Sequence, residues 1–256
     1  MILTFIQHTG TAKSMLQSAF ALSVSLKKEF GVLLFVEDGN RIPILMDELR
    51  LFLESENLPD TKIFVRENKL SELSQVCEEI EASFLFLQLA DNRSQFIQKY
   101  LTACRGLRIP YLLYKESFSP LDLKKVLVPV TFLEEEYEKA QFASAFGRFC
   151  QSQITLLLAN DYGSKARTTA DKMMQLFDKF KLNYTLEVAK SDSFKIEKES
   201  VSEAEKQNYD IVLLSASRDY GLDDILFGPK EQHLVKKSLV PVLLINPRGD
   251  LYSLCD

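Results

Sequence analysis

Two histidines, four cysteines and a run of three glutamates are the side chains in this 256-residue sequence whose types invite a catalytic or metal-binding reading. His8 follows the apolar run ILTFIQ, at the end of a strand where α/β folds place their ligands. No Cys, Asp or Ser constellation stands at a spacing that would make it a base or a metal ligand, so it reads as a loop residue. His233 lies in KEQHLVKK beside Lys236 and Lys237 and reads as a surface residue. Cys77, Cys104, Cys150 and Cys255 are scattered, without the CxxC pairs of zinc and redox sites, and are expected to be reduced core thiols. Glu134, Glu135 and Glu136 open a helical segment, where acids answer the positive end of the helix dipole rather than a metal. Ser215 and Ser217 are not in a GxSxG elbow, so a hydrolase triad has no nucleophile. The expectation is a chain with no catalytic residues and no metal.

The elements that must position these residues follow one another in a regular order. Strand-like ILTFIQ precedes the helical pattern KSMLQSAFALSVSLKKEF, with Gly31 placed to close it as a C-cap. GVLLFVED is a strand, RIPILMDELRLFLESEN an amphipathic helix stopped at Pro59, TKIFVRE a strand and LSELSQVCEEIEA a helix. FLFLQLA, SQFIQKYLTACRG and IPYLLYKE complete five strands by residue 116. After SFSPLDLK the order starts again: strands KKVLVPV, QITLLLAND, NYTLEVAK, DIVLLSA and VPVLLINP alternate with helices at EEEYEKAQFASAFGRFC, SKARTTADKMMQLFDKFK, 195–207 and KEQHLVKKS. Continuous apolar strands separated by helices predict parallel sheets covered on both faces. Aligning Ile2 with Val126 sets Gln17, Ala19 and Ala21 opposite Gln141, Ala143 and Ala145. The fold class is therefore α/β, as two tandem, doubly wound, Rossmann-like five-stranded parallel sheets, with domains at 1–116 and 122–249 and the boundary between Lys115 and Lys124.

A net charge of -5 and a pI near 5.3 oppose a grip on phosphate backbones, so no nucleic-acid partner is expected. The start, MILTFIQHTG, lacks the basic region and cleavage site of a signal peptide, and no apolar run is long enough to cross a bilayer. The expected location is the cytoplasm, with no membrane partner.

The second half resembles the universal stress protein family over nearly its whole length. KKVLVPVTF resembles the family's opening strand, with Pro129, Val130 and Thr131 where Pro-Val and usually Asp stand, and Asp210, Gly221, Gly228, Pro241 and the strand from Val242 to Ile245 keep step with its ending. The first half matches only in element order and in IPYLLYK, and joins the family through the repeat. The resemblance implies a role in the stress response. It also implies an intramolecular pseudo-dimer that pairs the two fifth strands, near Ile109 to Tyr114 and Val240 to Ile245, and so hides two apolar edges.

Nucleotide-binding members carry GxxG, nine residues, then Gly and Ser or Thr, a loop that lets backbone N–H groups and a hydroxyl approach phosphates. In this chain those positions hold Ser215, Arg218, Gly228 and Pro229. A Cβ at Ser215 or Arg218 restricts the loop, and Pro229 removes an N–H and brings no hydroxyl. Thr131 replaces the usual acidic residue beside the ligand. Arg218 could take a phosphate bidentately, or be a solvated loop residue. The first half has no glycine between FLFLQLA and Gly106 and is expected to be structural. The implied function is a non-catalytic stress-response binding or signalling module with no resident cofactor and with weak or absent binding of ATP or AMP. One alternative is adenine-nucleotide binding, with slow hydrolysis, around Val130, Thr131, Arg218 and Gly228. Another is a purely structural interaction protein whose cleft is filled by Tyr220 and Phe227.

Overall fold

A computed structural model describes residues 1–90, 92–217 and 229–248. The chain divides into two compact units, Met1–Leu121 and Asp122–Asp256.

In the first unit the strands are β1 (Ile2–Ile6), β2 (Phe30–Val36), β3 (Lys62–Glu67), β4 (Phe84–Leu89) and β5 (Tyr111–Lys115), ordered β3-β2-β1-β4-β5 and all parallel. The connecting helices are α1 (Lys13–Leu26), α2 (Ile42–Ser55), α3 (Leu73–Glu79) and α4 (Ser94–Cys104). The strand order runs outward from β1 through β2 to β3, then returns to the other side of β1 for β4 and β5. Right-handed crossovers therefore place α1 and α2 on one face and the later helices on the other. Every residue of β1 and β4 is buried, as strands covered on both faces require. Edge strand β3 carries exposed Lys62 and Glu67 instead, charges that discourage pairing with another chain.

The second unit repeats this plan. Its strands β6 (Lys125–Val130), β7 (Gln153–Leu158), β8 (Tyr184–Val188), β9 (Ile211–Ser215) and β10 (Val242–Ile245) are ordered β10-β9-β6-β7-β8, again all parallel. Helices α5 (Glu138–Phe149), α6 (Lys165–Lys179), α7 (Ile196–Lys206) and α8 (Lys230–Lys237) lie between them. Each unit is thus a doubly wound sheet. The repeat reaches the backbone as well: Lys27 and Asn57 have left-handed φ of 53° and 62°, and Gln151 and Lys181, at the offset that superposes Ile2 on Val126, have 58° and 54°. All four end helices, so the duplicated feature is a helix stop made without glycine.

Two expectations need correction. Gly31 is not the C-cap of α1. The helix ends at Leu26, Lys27 takes the left-handed position and bonds back to the Ser23 and Val24 carbonyls, and Gly31 lies inside β2. A Cβ on Gly31 would come 2.5 Å from Met1 Sδ and 3.3 Å from the Phe64 ring, so its role is close packing of strands. Helix α2 ends at Ser55, with Asn57 left-handed and Leu58 N–H donating to Leu53 O at 2.8 Å, so Pro59 follows a stop already made. The segment 117–121, inside the expected boundary, goes with the first unit: Tyr114 OH lies 3.0 Å from Ser18 Oγ and donates to Ser119 O at 2.5 Å, while Leu121 N–H donates to Ser18 Oγ at 2.9 Å.

Candidate functional site

In doubly wound sheets a ligand crevice opens at the carboxyl ends of the strands, where the strand order reverses. That point lies between β1 and β4 in the first unit and between β6 and β9 in the second.

In the first unit the place is taken by Gln88, the one amide in the apolar strand β4, which is 2 % exposed. Its Oε1 accepts from Gln7 N–H at 2.7 Å and His8 N–H at 3.2 Å, and its Nε2 donates to His8 O and Thr11 Oγ1, both at 3.0 Å. The backbone groups that an outside ligand would meet after β1 are therefore satisfied within the chain. The His8 side chain itself is exposed in this loop, and Gln7 Nε2 donates to Tyr100 OH. His233 is likewise exposed, on α8.

In the second unit Val130 ends β6, fully buried, and Thr131 follows at 4 % exposure. Thr131 N–H donates to Glu136 Oε2 at 3.2 Å, and the same oxygen lies 2.6 Å from Lys139 Nζ, which also donates to Pro129 O. Both charged side chains are at most 2 % exposed. The three glutamates are therefore not alike. Glu134 is exposed, whereas Glu136 points inward from a single 3-10 turn (Glu134–Tyr137) and forms a buried ion pair. A dipole argument does not cover that residue. Next to it, Phe132 N–H donates to Ser193 Oγ at 3.0 Å, and Ser193 N–H to Asp161 Oδ1 at 2.8 Å, so side chains from after β7 and β8 also close over β6.

On the β9 side, Ser215 is buried and Ala216 N–H donates to Ile245 O at 2.8 Å. Ser217 N–H donates to Oε1 of Glu231, a carboxylate on α8 that is 2 % exposed and whose Oε2 has no hydrogen-bond partner among the described residues. Pro229 stands at the N-cap of α8 in an extended conformation (φ -63°, ψ 147°) and supplies no side-chain cap. Arg218, Tyr220, Gly221, Phe227 and Gly228 lie outside the described residues, as does Cys255. Beside Glu231, Lys230 Nζ pairs with Glu197 at 2.9 Å. Burial pushes the Glu197 carboxyl above its usual range against the pull of Lys230. Burial also works against the Lys230 charge, yet Glu197, joined by Glu231 and Glu136, holds that ammonium above its usual range.

The geometry brings Thr131 and Glu136 together just past Val130 at the end of β6, and Ser217 and Glu231 together just past Ser215 at the end of β9, with Pro229 at the N-cap of α8. Gln88, Lys139 and Glu231 escaped the sequence reading, and Glu136 entered it only as one of three helix-opening acids. Two signals for them are present: a glutamine inside an otherwise apolar strand, and Glu-x-x-Lys at helical spacing next to strand β6. Cys77, Cys104 and Cys150 are buried, and burial lifts the Cys77 thiol to about 12, far from a nucleophile at neutral pH. Among the described residues no three metal-ligating side chains come together to hold an ion.

Comparison with known proteins reveals similarity in structure rather than in sequence. No family model and no curated protein matches the chain. A universal stress protein from Archaeoglobus fulgidus superposes with a TM-score of 0.69 at 12 % identity, covering 97 % of each chain. A putative universal stress protein from Pseudomonas aeruginosa gives 0.64 at 11 %, over 99 % of this chain and 94 % of that one. A protein of unknown function from P. aeruginosa PAO1 gives 0.62 at 11 %, over 99 % and 95 %. The chain has the universal stress protein fold, in tandem. Among the described residues no helix is long and apolar enough to cross a membrane.

Proposed function

We propose that this chain is a non-catalytic tandem universal stress protein, a cytoplasmic binding or signalling module of the stress response in which ATP or AMP binds weakly or not at all. One observation carries the reading: at each switch point the backbone N–H groups already donate to the chain's own buried side chains, Gln88 in the first unit and Glu136 and Glu231 in the second. A phosphate entering the second unit would have to displace a carboxylate from Ser217 N–H, and a hydrogen bond to a charged group contributes about 1.5–3 kcal/mol. It would also meet the Glu231 carboxylate, of its own sign, which opposes it by about 4 kcal/mol at contact distance near a protein surface. Together these effects weaken a micromolar site to millimolar or beyond. The two units are further proposed to pair through β5 and β10, whose apolar sequences suit a covered edge.

Mass spectrometry of small molecules released from the purified protein, together with thermal unfolding in millimolar MgATP, tests the reading. The expected result is no stoichiometric nucleotide and a shift of no more than about a degree, because a ligand near its Kd adds only about 0.4 kcal/mol. Co-purified ATP or AMP, or a shift of several degrees, would overturn it.

A further inference from the structure

Helices α7 and α8 are joined at their first turns by the Glu197–Lys230 pair, 2.9 Å apart. Farther along, the same helices leave between them a furrow of about 280 Å³, lined by Lys198, Val201, Ser202 and Glu205 from α7 and by His233, Leu234 and Lys237 from α8. Val201 and Leu234 are its apolar floor, 8 % and 5 % exposed, while the polar side chains stand at the rim. The α7 positions fall at helical spacing on one stripe, so they present their side chains to the same line.

The charges in this furrow are not matched. Lys206 on α7 pairs with Glu203 at 2.9 Å and Lys230 on α8 pairs with Glu197. Lys198, Lys237 and the His233 ring, in contrast, have no ion pair or side-chain hydrogen bond among the described residues. Burial and then the ammoniums of Lys237, Lys198 and Lys236 hold the His233 imidazolium below its usual range, so the cations stand close enough to repel its proton. Lys236 is engaged elsewhere. Glu205 is the one carboxylate among the lining residues and makes no ion pair with them. Two ammoniums and an imidazole facing one carboxylate leave a positive excess that grows when His233 takes a proton.

We propose that this furrow is a binding site for a small oxyanion of the phosphate class, held by Lys198, Lys237 and protonated His233, with the Ser202 hydroxyl as a further donor. It shares no residue with the crevice at the strand ends and stands independently of the reading of that crevice. Unmatched cations around a half-enclosed apolar floor are where an anion gains most, because it relieves their mutual repulsion as well as pairing with each. Binding and protonation are then linked: the anion raises the His233 pKa, and each unit of that rise equals tenfold tighter binding to the protonated form.

The chain has only two histidines, which makes the test direct. The imidazole proton signals of the whole protein are followed by NMR through a pH titration, in millimolar inorganic phosphate and in chloride of equal ionic strength, so that simple screening is the same in both. The expected result is a saturable rise of roughly half to one unit in the His233 pKa, with exposed His8 unmoved. Lys198→Gln with Lys237→Gln abolishes the rise, and Glu205→Gln enlarges it. An arm with AMP separates the sources of the phosphoryl group: an equal rise assigns the site to the phosphoryl group alone, and a rise with AMP at lower concentration assigns it to a phosphate monoester. The proposal is overturned if His233 moves no more than His8 in both phosphate and AMP, or if the double lysine variant responds as the wild type does.

Discussion

Replacing Lys139 with Met removes one member of the buried pair while keeping most of its volume. Glu136 would then remain at 2 % exposure with the Thr131 N–H as its remaining donor among the described contacts, and Pro129 O would lose its ammonium partner. Breaking a buried pair in this way costs about 3–5 kcal/mol, since the surviving charge is left uncompensated. For a unit of this size about 1 kcal/mol corresponds to roughly 4 °C, so melting of the second unit should fall by on the order of 12–20 °C. The double variant Glu136→Gln with Lys139→Met separates charge from packing. Its amide oxygen still accepts from Thr131 N–H, no charge is stranded, and the remaining deficit is the unpaired Pro129 O, about 1–3 kcal/mol. The double variant is therefore expected to be more stable than the single, with a coupling of at least about 2 kcal/mol. Calorimetry reads the transition, and amide exchange assigns it to the second unit, which is needed because two units need not unfold in one step. A Lys139→Met protein within about 1 kcal/mol of wild type, or additive effects in the double variant, would refute the account.

Gln88→Leu keeps the size of the side chain but leaves the N–H groups of Gln7 and His8 without their acceptor. It is expected to cost about 2–5 kcal/mol and to speed amide exchange at those two residues, and a variant as stable as wild type would show that the four bonds are incidental. Pairing of the units through β5 and β10 predicts that residues 1–121 or 122–256 produced alone self-associate in sedimentation. A monodisperse monomer of either half counts against that pairing.

The strands were legible because a strand buried on both faces has to be mostly apolar, and β1, β4, β6 and β9 are, but for Thr4, Gln88, Lys125 and Ser215. Their order was legible because the pattern occurs twice. Helix ends were less so: Lys27 stops a helix in a left-handed conformation that a lysine does not announce, and Gly31, the obvious candidate, serves strand packing instead. At the crevice the sequence displays Ser215 and Pro229, but not which side chains reach the strand ends. Gln88 meets its partners about 80 residues away in sequence, and periodicity carries no information about such distances. Glu136 reads as one of three equivalent acids until the turn that contains it is seen to aim it inward.

The Glu136–Lys139 pair also bears on which neighbouring sequences this chain can reach by single substitutions. Either residue changed alone strands a buried charge, so the two are tied together, and a path that replaces them must do so nearly at once or through an intermediate too unstable to persist. An acidic residue introduced at Thr131, whose backbone N–H is already held by Glu136, would set a second carboxylate beside the first. Such a change becomes tolerable only after the pair has gone. The pair therefore acts as a ratchet: once it is in place, any path toward an acidic residue at Thr131 has to begin with its least tolerated step.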